Sequence, residues 1–136
     1  RGRTEFSFSG LKTAVKRHVA ARRAALEVDN LPSSEVANIC ASFQRVAVET
    51  LLDRTFEAAR WFGAHSIGIA GGVSANTRLR ADAQARGVAA SVPVFLPGLA
   101  LATDNAAMIG AAGLRNLKAG VTATLELNAQ AALEIY

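Results

Sequence analysis

With a single cysteine, Cys40, the 136-residue chain has no partner for an intrachain disulfide and cannot build a cysteine-rich metal site. That scarcity fits a reducing, cytoplasmic setting. No run reaches the roughly 18 uninterrupted apolar residues of a membrane span, so no membrane partner is expected. The amino end shows neither a starting methionine nor a signal-peptide pattern, and the chain reads as a fragment. Its two histidines, His18 and His65, do not stand at metal-binding spacing, and there is no HExxH helix or plausible Ser or Cys triad to support a protease. Charge decides little, since 15 basic against 11 acidic residues leave +4, compatible with an anionic partner without requiring one. Internal repeats and low-complexity linkers are also missing.

What is present is a chain that is 51% hydrophobic, ample for one globular core. Glu5 to Ser9 alternates as a short strand does, and Ser9-Gly10 can turn it into a helix beginning near Leu11. That helix places Leu11, Ala14, Val15 and Val19 on one face and crowds Lys12, Lys16, Arg17, Arg22 and Arg23 around the rest. Such a charge pattern reads first as a solvated face, with nucleic-acid binding as the alternative. After Pro32, Ser33 or Ser34 can cap a long helix from about Glu35 to Phe62, ended by Gly63. Its stripe of Val36, Ile39, Cys40, Phe43, Val46, Ala47, Thr50, Leu51, Ala58 and Phe62 predicts burial, Cys40 included.

Ser66 to Ala70 reads as a short apolar strand delivered into Gly71-Gly72 and then a helix through Arg86-Gly87, with Arg78, Arg80 and Asp82 exposed. Ser91 to Phe95 reads as another strand, at an edge or a strand end because Pro93 cannot donate to a ladder. A last helix runs from about Thr103 to Lys118, stopped by Ala119-Gly120. Its small residues Ala106, Ala107, Gly110, Ala111, Ala112 and Gly113 allow close approach of a neighbour or ligand. Residues 1–120 are expected to form the domain, and 121–136 a partly ordered tail.

Two helix starts carry the chemistry. A strand delivering Gly71-Gly72 to a helix lets an anion approach backbone N–H groups, phosphate first of all. Asn76 could read a ribose hydroxyl or an acyl group, or it could, like Ser74, merely cap. Asp104 is either a dipole-stabilising cap or a hard oxygen ligand for a divalent cation. No general base is visible, so no catalytic residue is assigned.

Four motifs in order make the sequence less generic: Phe6-Ser7-Phe8-Ser9-Gly10-Leu11-Lys12-Thr13, Ala41-Ser42-Phe43-Gln44, Gly71-Gly72-Val73-Ser74-Ala75-Asn76 and Thr103-Asp104-Asn105-Ala106-Ala107-Met108-Ile109. The series resembles the TsaD family of tRNA threonylcarbamoyladenosine transferases, over nearly the whole chain but less than half of a complete member. The resemblance implies an α/β fold, the second lobe of the actin, sugar-kinase and heat-shock ATPase superfamily, with a mixed sheet flanked by helices. It implies transfer of threonylcarbamoyl from its AMP adduct to the adenosine beside the tRNA anticodon. An ATPase or sugar kinase of the same superfamily, or a non-catalytic nucleic-acid-binding lobe, is the alternative.

By the same resemblance Asn76, Gly71 and Gly72 match substrate-binding positions, and Asp104 matches a ligand of one divalent metal ion, iron or zinc. The segments between Asn76 and Asp104 leave room for both to return to one cleft rim. The remaining metal ligands, a pair of histidines, and the first phosphate loop belong to the family's amino-terminal lobe, so the fragment alone is expected to be inactive. Implied partners are tRNA, threonylcarbamoyl-AMP and, if bacterial, a paralogous subunit and a P-loop ATPase subunit. One departure stands out, Leu101-Ala102 where the family often has Tyr-Cys, a change that bears on packing more than on metal binding.

Overall fold

A computed structural model describes residues 7–128 of the chain. Of the sequence-predicted opening strand, Glu5 and Phe6 lie outside the described residues, and Ser7 to Ser9 form no strand: Phe8 is the N-cap of the first helix and Ser9 its first residue. The tail beyond residue 128 also lies outside the described residues. The described chain runs as helix α1 (Ser9–Leu26), helix α2 (Ser33–Phe62), strand β1 (Ile67–Gly68), a 3-10 turn (Gly72–Ala75), helix α3 (Thr77–Ala90), strand β2 (Val94–Phe95), a second 3-10 turn (Leu99–Leu101) and helix α4 (Ala106–Lys118). It is mostly helical with a small parallel sheet, and it divides into two compact units, Arg1–Ala102 and Thr103–Tyr136.

Within the first unit β1 and β2 pair in parallel, Ile67 opposite Val94 and Gly68 opposite Phe95. The Ile67 N–H donates to the Pro93 carbonyl at 2.9 Å and the Ile69 N–H to the Phe95 carbonyl at 3.0 Å. Pro93 thus supplies an acceptor just before the strand, where its missing N–H costs nothing. The two apolar runs are strands where the sequence places them, but shorter than expected. α3 crosses between them, as a parallel pair requires. It comes so close to β2 that a Cβ on Gly87 would stand 2.6 Å from Val94 Cγ2 and 2.8 Å from the Val92 carbonyl oxygen.

The core is Val48 and Leu52 of α2 against Leu79 and Ala83 of α3, with Phe56, Ile69 and Val94 packed around them. Fully burying one such leucine contributes about 1.5–3 kcal/mol, so this small group dominates the unit. The buried line on α2, Val48, Leu52 and Ala59, lies one step round the helix from the expected stripe. Val36, Phe62 and Cys40 are exposed, which corrects the expectation that Cys40 lies in the core. The physical reason is length. A 30-residue helix is about 45 Å long and the 14-residue α3 about 21 Å, so α3 can cover only part of α2.

The helix ends follow mixed rules. Gly63 closes α2 in the left-handed region at φ +59°, as its residue type predicts. At the start of α2, neither Ser33 nor Ser34 caps. Pro32 occupies the N-cap position, and its carbonyl accepts from the N–H groups of Glu35 and Val36, both at 3.0 Å. Ser9 and Gly10 are already helical, not a turn before α1.

In the second unit α4 begins at Ala106, three residues later than expected, and none of its residues is buried. Gly120 follows its end at φ +73°. Gly110 and Gly113 have no heavy atom within 4 Å of where a Cβ would stand, so their smallness serves no close approach among the described residues. No helix of the described residues is long and apolar enough to cross a membrane.

Candidate functional site

β1 ends where the chain leaves the sheet, and Gly71 then takes φ +81°, ψ 173°. Nothing within 4 Å would obstruct a Cβ at Gly71. Glycine is required there by the backbone angle, not by lack of room. The α-helix does not open at the glycines as the sequence suggests. A 3-10 turn over Gly72–Ala75 intervenes, closed by the Ser74 N–H to the Gly71 carbonyl at 2.9 Å. So short a turn carries little macrodipole, and any anion affinity at Gly71-Gly72 rests on local N–H groups.

Asn76 is the residue between turn and helix. It sits in extended conformation as the N-cap of α3, where its Oδ1 accepts from the Leu79 N–H at 3.0 Å. Capping therefore occupies the carbonyl end of the amide, while the NH₂ end makes no hydrogen bond among the described residues. Arg80 braces the same corner from one turn further on, its Nη1 donating to the Ser74 carbonyl at 2.9 Å. Ser74 itself is fully buried with a hydroxyl that has no hydrogen-bond partner among the described residues. Neither role was visible in sequence, because an arginine or serine near a turn carries no periodic signal.

A groove of about 680 Å³ runs along α2 to this corner, lined by Cys40, Ala41, Gln44 and Ala47 at one side and by Val73 and Asn76 at the other. Two of the four sequence motifs, some thirty positions apart, therefore share one wall-and-rim arrangement. The lining is apolar, with Phe43, Val48 and Leu51 among the small side chains, apart from the amides of Gln44 and Asn76. The first motif approaches α2 from its other side. Leu11 of α1 and Ser42 and Phe43 of α2 line a separate cleft of about 780 Å³, bordered by His18, Arg22 and Glu35.

Arg22 and Glu35 form a hydrogen-bonded ion pair linking the two helices. The hydrogen bond from Arg22 holds the Glu35 carboxyl below the usual glutamate range; desolvation opposes this, and the charges of Arg22 and His18 add to it. The same hydrogen bond and the glutamate charge raise the Arg22 guanidinium further above neutrality.

Asp104 belongs to the second unit. It is exposed and it is not the cap of α4. Asn105 is, its Oδ1 accepting from the Met108 N–H at 3.2 Å while its Nδ2 donates to the Thr103 carbonyl at 2.8 Å. The capping explanation of Asp104 therefore falls away, and its carboxylate makes no hydrogen bond or ion pair among the described residues. Those residues contain no group of three His, Cys, Asp or Glu side chains able to hold a metal. As a donor set, Asp104 fits a metal only as one ligand completed from elsewhere.

Comparison with known proteins places this arrangement. The family profile described as TsaD, tRNA N6-adenosine threonylcarbamoyltransferase, matches residues 2–111. The tRNA N6-adenosine threonylcarbamoyltransferase of Rippkaea orientalis is 43% identical over 129 residues, 95% of this chain and 36% of that protein. Those of Thermosipho africanus and Anaeromyxobacter dehalogenans are 43% and 44% identical over 130 residues, covering 96% and 94% of this chain and 37% of each relative. The chain thus spans little more than a third of the curated relatives it matches, and it belongs to the TsaD family.

Proposed function

We propose that the intact protein carrying this segment transfers threonylcarbamoyl from its AMP adduct to the N6 amine of the adenosine beside the tRNA anticodon. The observation that carries the reading is the groove in which Ala41 and Gln44 of one motif meet Val73 and Asn76 of another, in a member of this family. A mostly apolar groove carrying two amides suits a purine nucleotide, which offers an apolar face and polar edges. Gly71, with nothing within 4 Å of a Cβ position, and Gly72 beside it present their backbone to the adenylate, and the unspent NH₂ of Asn76 donates to its ribose or acyl oxygens. Fixing the adenylate aligns its carbamoyl carbon for the incoming amine, an effect of proximity and orientation.

Asp104 would be one ligand of a divalent metal, iron or zinc, with the other ligands in the amino-terminal lobe. Such an ion, when bound, polarises a carbonyl and neutralises anionic groups. In this reading residues 1–120 are most of the second lobe of the actin-like ATPase fold, and the setting is cytoplasmic. A paralogous subunit and, in bacteria, a P-loop ATPase subunit are the expected companions. The test is incubation of the intact protein with threonylcarbamoyl-AMP and unmodified tRNA, followed by nucleoside mass spectrometry. Modified adenosine with stoichiometric AMP release supports the proposal. ATP hydrolysis that needs no tRNA, with no modified adenosine, overturns it in favour of a superfamily ATPase or kinase.

A further inference from the structure

α1 contains no acidic residue, and among the described residues Arg22 is the one lysine or arginine of the helix held in an ion pair. Arg22 pairs with Glu35, whereas Lys12, Lys16, Arg17 and Arg23 are exposed and make no ion pair among the described residues. Arg23 shares a shallow hollow with Glu27 and Asp29 and still pairs with neither. At about 100° per residue, Lys12, Lys16 and Arg23 fall within an arc of about 40°, a straight strip roughly 16 Å long. Half-buried Val19, Val15 and Leu11 run along one flank of the strip, at about 20°, 60° and 100° from Lys12.

We infer that the Lys12, Lys16 and Arg23 strip of α1 docks the phosphate backbone of RNA, outside the groove assigned to the adenylate. The inference rests on the proposed tRNA substrate for the identity of the polyanion. Unpaired cations on a rigid rod at this spacing match a regularly charged strand and gain by releasing its counterions. A membrane surface fits less well, because a helix lying on lipid must bury its apolar face there, and on α1 Leu11 and Val15 line the cleft against α2.

The experiment measures binding of the intact protein to an unmodified tRNA transcript between 50 and 200 mM salt, roughly the range over which such contacts weaken most visibly. Two triple variants are compared, K12E/K16E/R23E and the neutral K12Q/K16Q/R23Q, with R115Q/K118Q on α4 as the control. Glutamine is a good helix former, so the neutral variant keeps α1, checked by circular dichroism. The expected result is at least tenfold weaker binding for the neutral triple at low salt and a log–log salt slope shallower by about 2, with the control unchanged. Unchanged affinity and slope in the neutral triple overturn the inference. So does an equal loss in the control, or a loss confined to binding of phosphatidylserine vesicles. The transfer assay separates the two proposals. A protein that modifies tRNA while the triple binds normally refutes the strip alone, and one that docks tRNA through the strip yet never modifies it refutes the transferase reading alone.

Discussion

Ser74 has 0% exposure and a hydroxyl with no partner among the described residues, an arrangement that costs free energy because the group gives up water without a replacement hydrogen bond. Ser74→Ala removes the orphan with almost no change of shape. It should raise stability by about 1 kcal/mol, read as a higher urea midpoint with an unchanged slope. A lower midpoint would mean that the hydroxyl has a partner in solution. Asn76 poses a different problem, since one side chain is both a cap and a proposed ligand. Asn76→Ala should cost about 0.5–2 kcal/mol through the lost bond to the Leu79 N–H. Asn76→Ser keeps a capping oxygen but has no amide NH₂. It should melt within a few degrees of the parent and still lose transfer activity at least tenfold, and full activity in the serine variant would leave Asn76 a cap and nothing more.

At the scale of elements, glycine positions and apolar runs were readable, and partners in space were not. Gly63 announced the end of α2, and the runs around Ile67 and Val94 announced the strands, because a left-handed residue and a β-branched run act locally. The choice of Asn105 over Asp104 as the α4 cap depends on where the chain turns, which residue type leaves open since both cap well. Gly87, at the end of the helix expected from sequence, is a packing residue inside α3. Gly87→Ala should destabilise by about 1–3 kcal/mol because the obstruction includes the Val92 carbonyl, which is backbone and slow to yield; a thermal melt decides, and a stabilised variant would point to ordinary helix propensity. The α1–α2 pair predicts a pH response. Glu35 has a depressed carboxyl in the folded chain, so the unfolded chain binds its proton first as pH falls. The stabilisation is complete above the ordinary glutamate range, about 4.3, and is lost below it as the folded carboxyl protonates. Arg22, raised, stays charged throughout. Protection of the α1 amides, taken relative to their intrinsic exchange rate at each pH, should therefore fall below that range in the parent, whereas in Glu35→Gln it should be low and unchanged across it.

For the whole molecule, the order of four motifs was more informative than any single residue, because each constrains a different element of one family fold. Burial was the least legible property. Periodicity assigned α2 a stripe from Val36 to Phe62 as though one neighbour covered its full length, whereas the core lies between Val48 and Ala59. Stability should be distributed in the same uneven way. Hydrogen exchange on the 136-residue chain should find the slowest amides in α2 from Val48 to Ala59 and in α3 from Leu79 to Gly87, where every core side chain of the two helices resides. α1, with no buried residue, should exchange faster. α4 should be faster still: it is 13 residues long, leaves Ile109 76% and Leu117 63% exposed, and has no buried side chain. A helix of that length without a core is marginal in water. Its amides should then exchange through local opening, insensitive to mutations such as Leu52→Ala that lower global stability by about 2–5 kcal/mol. If α4 instead slows to the core rate and follows Leu52→Ala, the two units unfold as one and the uneven distribution is wrong.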